Sequence, residues 1–115
     1  MLIDNDCKFI VEAANMPCTE EAIKLFNDKL VVVAPSKAVN AGGVAVSALE
    51  MRQNAGWEKW SMPQVDNKLR EIMKQIHASC LRNARKYGTE GDYTLGANVG
   101  GFLRVAHAAI AHGII

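Results

Sequence analysis

Two short apolar segments stand on either side of an amphipathic segment near the start of the chain. The first reads CKFIVEA, from Cys7 to Ala13, and the second reads LVVV, from Leu30 to Val33. Both are short and rich in β-branched residues, which is typical of strands buried in a sheet. A strand, a helix and a second strand with tight links form a βαβ unit with parallel strands and a right-handed crossover. We therefore predict such a unit over residues 6–39.

The segment between the two strands carries the signals of a short helix. Thr19 can cap the helix start, and Glu20 and Glu21 would lie near the positive end of the helix dipole. The helix is predicted to end near Lys29. Two strands are too few for a stable sheet, so we expect further strands or further chains to complete it.

The rest of the chain, residues 40–115, is predicted to be helical. The first helix runs from near Asn40 to about Asn54, and the second from Pro63 to near Gly88. A final helix starts at about Ala97, after a polar loop. Its predicted apolar face consists of Val99, Phe102, Leu103, Ala106, Ala109 and Ile110. The predicted fold class is thus α/β, with a partial Rossmann-type βαβ unit followed by three carboxyl-terminal helices.

Composition and charge exclude several classes of protein. The chain has 115 residues, of which 50% are hydrophobic and 22% charged, as in ordinary globular domains. Its net charge of +1 gives no field that would favour nucleic acid or an anionic membrane. No apolar run is long enough for a membrane span, and the first residues do not resemble a signal peptide.

The cysteines indicate a reducing compartment. There are three, Cys7, Cys18 and Cys80, and no Cys-x-x-Cys pair is present. An odd number of unpaired cysteines favours reduced thiols and a cytoplasmic protein. Cys7 and Cys80 lie within apolar patterns and are expected to be buried.

Two asparagines follow the predicted strands and mark a candidate site. Ligands of open parallel sheets bind beyond the carboxyl ends of the strands, where Ala14-Asn15 and Asn40 would emerge. An amide side chain offers a donor and an acceptor together, which suits a carboxamide or a ribose hydroxyl. Val44 and Ser47 would share a helical face with Asn40. The alternative stays open that Asn40 is only a helix cap and that Ser47 bonds its own backbone.

The glycines after Asn40 allow the same two interpretations. Gly42 and Gly43 would let a ligand approach the backbone at the positive end of the helix. They could equally serve tight packing alone.

Three other polar residues are weaker candidates. Glu12 ends the first strand and is expected to be a buried, paired carboxylate. Lys37 could meet a phosphate or be a solvated lysine. His77 is expected to be structural, because the histidines show no metal-ligand spacing. No glycine-rich dinucleotide fingerprint, phosphate-binding loop or nucleophile elbow is present.

Three segments resemble one enzyme family. EAANMPCTEEA resembles the EGANMPTTxEA segment of the hexameric glutamate dehydrogenases, and APSKAVNAGGVAVSALEMRQN resembles the AP-K-NAGGV--S--EM-QN segment that follows it. GANVGGFLRVAHAAIAHGII resembles the GANI-GF-KVADAM-AQG ending. The segments occur in the same order and with similar spacing, and together they cover nearly the whole chain. The sequence is thereby identified as similar to the carboxyl-terminal segment of NAD(P)-dependent glutamate dehydrogenases.

The resemblance assigns roles to individual residues. It implies that Ala14, Asn15 and Asn40 contact the nicotinamide end of NAD or NADP. It also implies that Asn40 reaches the substrate, that Val44 lines the substrate pocket, and that Ser47 binds the distal carboxylate of glutamate. Residues 1–115 would be the carboxyl-terminal part of the dinucleotide-binding domain, with hinge and closing helices. The family's catalytic lysine and aspartate would lie outside this chain, which alone would be inactive.

The chain departs from the family pattern at two positions. Ala13 stands where the family usually has Gly, and His107 stands where it usually has Asp. The first difference could tighten the backbone beside Ala14, and the second is expected at the surface.

The implied reaction is oxidative deamination of L-glutamate to 2-oxoglutarate and ammonia, or its reverse. A homo-oligomer, or association with the missing parts of the enzyme, is the expected assembly. The alternative is an independent, non-catalytic module that oligomerises or binds a partner through an exposed sheet edge. A valine- or leucine-type dehydrogenase is disfavoured by Ser47, because an apolar residue would be expected there.

Overall fold

The computed structural model describes residues 2–114 and contains two strands and five helices in that range. The first and last residues of the predicted domain, 1–115, lie outside the described residues. The elements in chain order are β1 (Phe9–Val11), α1 (Glu20–Asp28), β2 (Val32–Ala34), α2 (Ser36–Val39), α3 (Ala41–Gly56), α4 (Met62–Tyr87) and α5 (Tyr93–Ala111). The predicted class is confirmed: a βαβ unit precedes three long helices. The short helix α2, within the 6–39 range, was not predicted.

The two strands pair in parallel, as predicted, with Ile10 opposite Val33 in the register. Burial of the second strand is confirmed only in part: Val33 is 5% exposed, whereas Val32 is 37% exposed and Leu30, in the predicted strand, is 90% exposed. Burial of β1 was predicted and is wrong for this chain, because Phe9 is 68% and Val11 63% exposed. The physical reason is that, among residues 2–114, no helix or strand packs over the side chains of Phe9 and Val11.

Helix α1 crosses one face of this small sheet. Its start is capped as predicted: Thr19 Oγ1 accepts a hydrogen bond from Ala22 N at 3.3 Å. Phe26 packs from the helix against Val31 and Val33, and these three residues form the core of the unit.

Two of the long helices have starts fixed by side chains. In α4, Ser61 and Gln64 form a capping box, in which Ser61 N donates to Gln64 Oε1 at 2.7 Å. Helix α5 begins at Tyr93, earlier than the predicted Ala97. The cap is Asp92, whose Oδ1 accepts from Leu95 N at 2.9 Å. The polar residues at 89–94 favour a loop in the sequence, but the capping bond of Asp92 starts the helix there instead.

Helices α4 and α5 pack against each other very closely. A Cβ on Gly96 would stand 2.0 Å from the Cys80 carbonyl oxygen, so only glycine fits there. Asn83 Nδ2 donates to Gly96 O across the same contact, at 3.4 Å. Cys80 is buried as expected, whereas Cys7 is half-buried, contrary to expectation. All three cysteines are free thiols.

The other side of α5 is open. Phe102 is 70% and Ile110 58% exposed, so these members of the predicted apolar face are not covered by the described residues. The side of α5 that faces α4 is instead the one that carries Gly96 and Gly100. Within the part of the chain that the structure describes, no helix is both long and apolar enough to cross a membrane.

Candidate functional site

The loops that follow β1 and β2 meet at the carboxyl edge of the sheet. Val11 and Ala34 are opposite each other at the ends of the two strands, which fixes where both loops start. Asn40 Nδ2 donates a hydrogen bond to Asn15 Oδ1 at 2.5 Å, joining positions 25 residues apart. The predicted meeting of the two asparagines is therefore observed. We call Asn15 and Asn40 the amide pair.

Asn40 occupies the N-cap position of α3, but its side chain makes no capping hydrogen bond and is free to contact Asn15. Its backbone is itself helical, with φ −75° and ψ −5°. The interpretation of Asn40 as only a cap is wrong. Its backbone N–H bonds Ser36 O at 2.9 Å, which ties it to the start of α2.

The amide pair keeps hydrogen-bonding groups for a ligand. Once Asn40 Nδ2 and Asn15 Oδ1 are joined, one donor group remains on Asn15 and one acceptor on Asn40. Among residues 2–114 the structure gives neither of them a protein partner. A donor and an acceptor side by side are complementary to a carboxamide, which presents the opposite pair.

The first turns of α3 form an open face beside the amide pair. A Cβ on Gly43 would meet nothing within 4 Å, whereas one on Gly42 would lie 3.7 Å from Met73 Sδ. The two glycines therefore differ: Gly42 packs toward α4 and Gly43 leaves open space. Val44 is 75% exposed on the open side. Ser47 Oγ donates to Gly43 O at 3.3 Å, so the alternative interpretation of Ser47 describes its contact in this structure.

Glu12 lies behind the amide pair at the end of β1. It is 4% exposed, and its Oε2 accepts a hydrogen bond from Ser36 N at 2.9 Å. Its other oxygen, Oε1, is buried and has no hydrogen-bond partner in the described part of the chain. The predicted burial of Glu12 is confirmed, and its partner is a backbone N–H.

The Cys18 thiol lies close to this carboxylate. Burial raises the pKa of Cys18, and the neighbouring Glu12 carboxylate raises it further. A raised pKa keeps the thiol protonated near neutral pH and makes it a poor nucleophile. Cys18 is thus a neighbour of Glu12 and not a reactive centre.

The Lys37 side chain is exposed but already has a hydrogen-bond partner in the protein. Its Nζ donates to Asn98 Oδ1 at 2.7 Å, which links α2 to α5 across 61 residues. Asn98 is not among the site residues predicted from the sequence. The available signal was its place in the GAN triplet of the third resembling segment.

His77 has a structural contact, as predicted. Its Nε2 lies 2.9 Å from Tyr93 Oη, and this contact joins α4 to the first residue of α5. Residues 2–114 hold no group of three or more His, Cys, Asp or Glu side chains that could bind a metal ion.

Comparisons with known proteins agree on one family. The profile of the Glutamate/Leucine/Phenylalanine/Valine dehydrogenase family matches residues 1–113. The glutamate dehydrogenase of Bacteroides thetaiotaomicron is 50% identical over 99% of this chain and 26% of its own length. The NADP-specific glutamate dehydrogenase of Giardia intestinalis is 46% identical over 99% of this chain and 25% of its own length.

The solved structures give the same result for the fold. Glutamate dehydrogenase 2 of Plasmodium falciparum superposes with a TM-score of 0.94 at 44% identity, over 99% of this chain and 25% of that protein. The chain therefore spans about a quarter of the length of the relatives that it matches.

Proposed function

Because the chain belongs to the glutamate/leucine/phenylalanine/valine dehydrogenase family, we propose that it is the carboxyl-terminal part of an NAD(P)-dependent glutamate dehydrogenase. The reaction would be oxidative deamination of L-glutamate to 2-oxoglutarate and ammonia, or its reverse. The observation that carries the proposal is the amide pair, Asn15 and Asn40, at the carboxyl edge of a parallel sheet. Relatives are named as NAD-specific, NADP-specific and NAD(P)-specific, so the proposed cofactor is either nucleotide.

The amide pair suits the nicotinamide end of that cofactor. When bound, the nicotinamide supplies the acceptor or donor of the hydride. Asn15 and Asn40 would hold its carboxamide through the donor and the acceptor that their mutual bond leaves unused. Ala14, beside Asn15 and exposed, would let the backbone come close to the ring. Such contacts fix orientation, which is a large part of the acceleration of a hydride transfer.

Val44 and Ser47 are proposed to form the substrate wall, with Asn40 between substrate and cofactor. Val44 offers exposed apolar surface to the methylene groups of glutamate. The Ser47 hydroxyl now donates to Gly43 O, an exposed neutral acceptor. A glutamate carboxylate would be a better acceptor for the same proton, because hydrogen bonds to charged groups are shorter and stronger.

The remaining assignments follow from the same proposal. Residues 1–115 would be the carboxyl-terminal part of the dinucleotide-binding domain with hinge and closing helices, with 6–39 as its βαβ unit and 40–115 as its helical part. The catalytic lysine and aspartate would come from the rest of the enzyme, so the isolated chain would be inactive. We propose that the exposed apolar side chains of β1 and α5 are covered by that remainder or by other subunits. The free thiols favour the cytosol.

The alternative of an independent, non-catalytic module is less well supported. The relatives that match 99% of this chain are named as glutamate dehydrogenases. No observation on the described residues favours a separate binding activity over a role in such an enzyme.

A hybrid enzyme tests the proposal. In it, this chain replaces the matching 26% of the Bacteroides thetaiotaomicron relative. We expect the purified hybrid to oxidise L-glutamate with NAD or NADP, and the isolated chain to show no turnover. A folded hybrid without turnover, or an isolated chain with measurable turnover, would contradict the proposal. Circular dichroism and gel filtration establish whether the hybrid is folded.

A further inference from the structure

Glu12 is attached to the β2–α2 connection by both its backbone and its side chain. Its N–H donates to Ala34 O at 3.1 Å, and its Oε2 accepts from Ser36 N at 2.9 Å. These bonds span 22 to 24 residues of sequence, so they hold two separate loops together. Pro35 precedes α2 and provides no side-chain cap, which leaves Glu12 as the acceptor for Ser36 N.

The stability of the fold does not require a charged residue at position 12. Burying a carboxylate costs free energy unless its oxygens are hydrogen-bonded, and Oε1 of Glu12 has no such partner within residues 2–114. A neutral amide or hydroxyl could accept the one bond from Ser36 N at a lower cost. A buried polar atom left unsatisfied in this way calls for a reason other than stability.

The position of Glu12 supplies such a reason. Asn15 follows Glu12 by three residues, and Asn40 follows Ser36 by four. Asn40 N bonds Ser36 O at 2.9 Å, so a shift of Ser36 moves Asn40 with it. The contacts thus form a closed ring: Glu12 to Ser36, Ser36 to Asn40, Asn40 to Asn15, and Asn15 through the chain back to Glu12.

We infer that Glu12 is a positioning residue of the cofactor site: its buried carboxylate fixes the start of α2 against the end of β1 and so sets the geometry of the amide pair. Glu12 itself touches neither cofactor nor substrate; it acts through Asn40. This inference rests on the proposed function, because the amide pair has a kinetic effect only in the assembled enzyme.

Cys18 provides an independent report on the same carboxylate. The thiol is partly buried beside Glu12, and after burial itself, the neighbouring Glu12 carboxylate raises its pKa. Removing the negative charge therefore lowers the pKa of Cys18, so that thiolate forms at a lower pH. The pH dependence of Cys18 alkylation therefore reports whether the Glu12 carboxylate lies beside Cys18, and this measurement does not depend on catalysis.

The kinetic experiment uses the hybrid enzyme with Glu12→Ala and Glu12→Gln. We expect Glu12→Ala to lower kcat/KM for the cofactor about 100-fold, the scale of a 1 Å misplacement near the reacting atoms. Glu12→Gln keeps the shape and an acceptor for Ser36 N, and we expect it to recover most of that loss. Added to Asn40→Ala, Glu12→Ala should cost little more, because both act through the same side chain.

Glu20→Gln is the matched control. Glu20 is exposed at the start of α1, eight residues from Glu12, and it loses the same charge without loss of a buried contact. We expect its kinetics and its Cys18 alkylation profile to match those of the unmodified hybrid.

The outcomes separate the two claims. An unmodified hybrid without turnover contradicts the proposed function, whereas an active hybrid allows the Glu12 test. If Glu12→Ala lowers only thermal stability, or if its effect adds fully to that of Asn40→Ala, the inference is overturned. Should Glu12→Ala fail to fold, Glu12→Asp decides, because it keeps the charge but is one methylene too short to hold Ser36 N. A reduced kcat/KM for the cofactor supports the inference, and an unchanged kcat/KM overturns it.

Discussion

The amide edge and the α4–α5 contact are held together in different ways. At the edge, Asn15 is exposed, and single polar bonds join residues far apart in the sequence. Between α4 and α5 the backbones approach until only glycine fits, and Ala84 is fully buried, with 0% exposure. The amide edge keeps hydrogen-bonding groups without a protein partner, whereas the α4–α5 contact is close-packed. Stability and ligand binding are therefore expected to respond to different substitutions in this chain.

The largest effect is expected from filling the α4–α5 contact. In the hybrid enzyme, Gly96→Ala would place a methyl group 2.0 Å from the Cys80 carbonyl oxygen, which is backbone and cannot move alone. Overpacking of this kind costs about 1–3 kcal/mol, and occasionally more. We expect a large fall in the thermal unfolding temperature, measured by circular dichroism.

Gly101→Ala is the control for that substitution. Gly101 lies in the same helix, and a Cβ there would meet nothing within 4 Å. Helix propensity alone then favours alanine, by about 1 kcal/mol. A destabilisation equal to that of Gly96→Ala would show that the close contact is not the cause.

The second prediction concerns the edge. Asn40→Ala removes the bond to Asn15 and one group proposed to hold the cofactor. We expect kcat/KM for the cofactor to fall about 100-fold, as for misplaced reactants, with little change in unfolding temperature because the edge is exposed. Asn54→Ala, at an exposed position of the same helix, is the control. A loss of stability without a kinetic effect would contradict the division between the two regions.

The third prediction tests the substrate wall. Ser47→Ala removes a hydroxyl whose present partner is its own backbone, Gly43 O. We expect kcat/KM for glutamate to fall about tenfold or more, the scale of a lost hydrogen bond to a charged group. The loss should be smaller for norvaline, which lacks the distal carboxylate. Equal losses with both substrates would remove Ser47 from a role in specificity.

The smallest effect is expected where the two regions are linked. Lys37→Met removes the hydrogen bond from α2 to Asn98 in α5, but both side chains are exposed. Exposed polar pairs contribute about 1 kcal/mol or less, so we expect only a small shift in unfolding temperature. Asn98→Ala should cause a similar shift, and the two changes together no more than either alone. Fully additive shifts would mean that the bond does not form in solution.

Local signals in the sequence predicted most of the fold. Thr19 caps α1 as expected, because capping depends only on neighbouring residues. The start of α5 was missed although Asp92 is also a local cap, since the polar residues around it suggested a loop. The exposure of Phe9 and Phe102 could not be predicted, because apolar periodicity shows which face seeks burial and not whether this chain covers it.

The candidate site was only partly predictable for a similar reason. The positions of Asn15 and Asn40 followed from the rule that parallel strands end at one edge, and the structure brings them together. The bonds from Glu12 to Ser36 and from Lys37 to Asn98 depend on how α2 sits against β1 and α5. Because α2 itself was not predicted, neither contact could be anticipated.

A double-mutant cycle on the amide pair tests the central claim most directly. Asn15→Ala, Asn40→Ala and the double variant are made in the hybrid enzyme, and kcat/KM for the nicotinamide cofactor is measured for each. If the two side chains hold the cofactor as one unit, the double variant loses about as much as either single variant. Losses that multiply independently would contradict the claim that Asn15 and Asn40 form a single cofactor site.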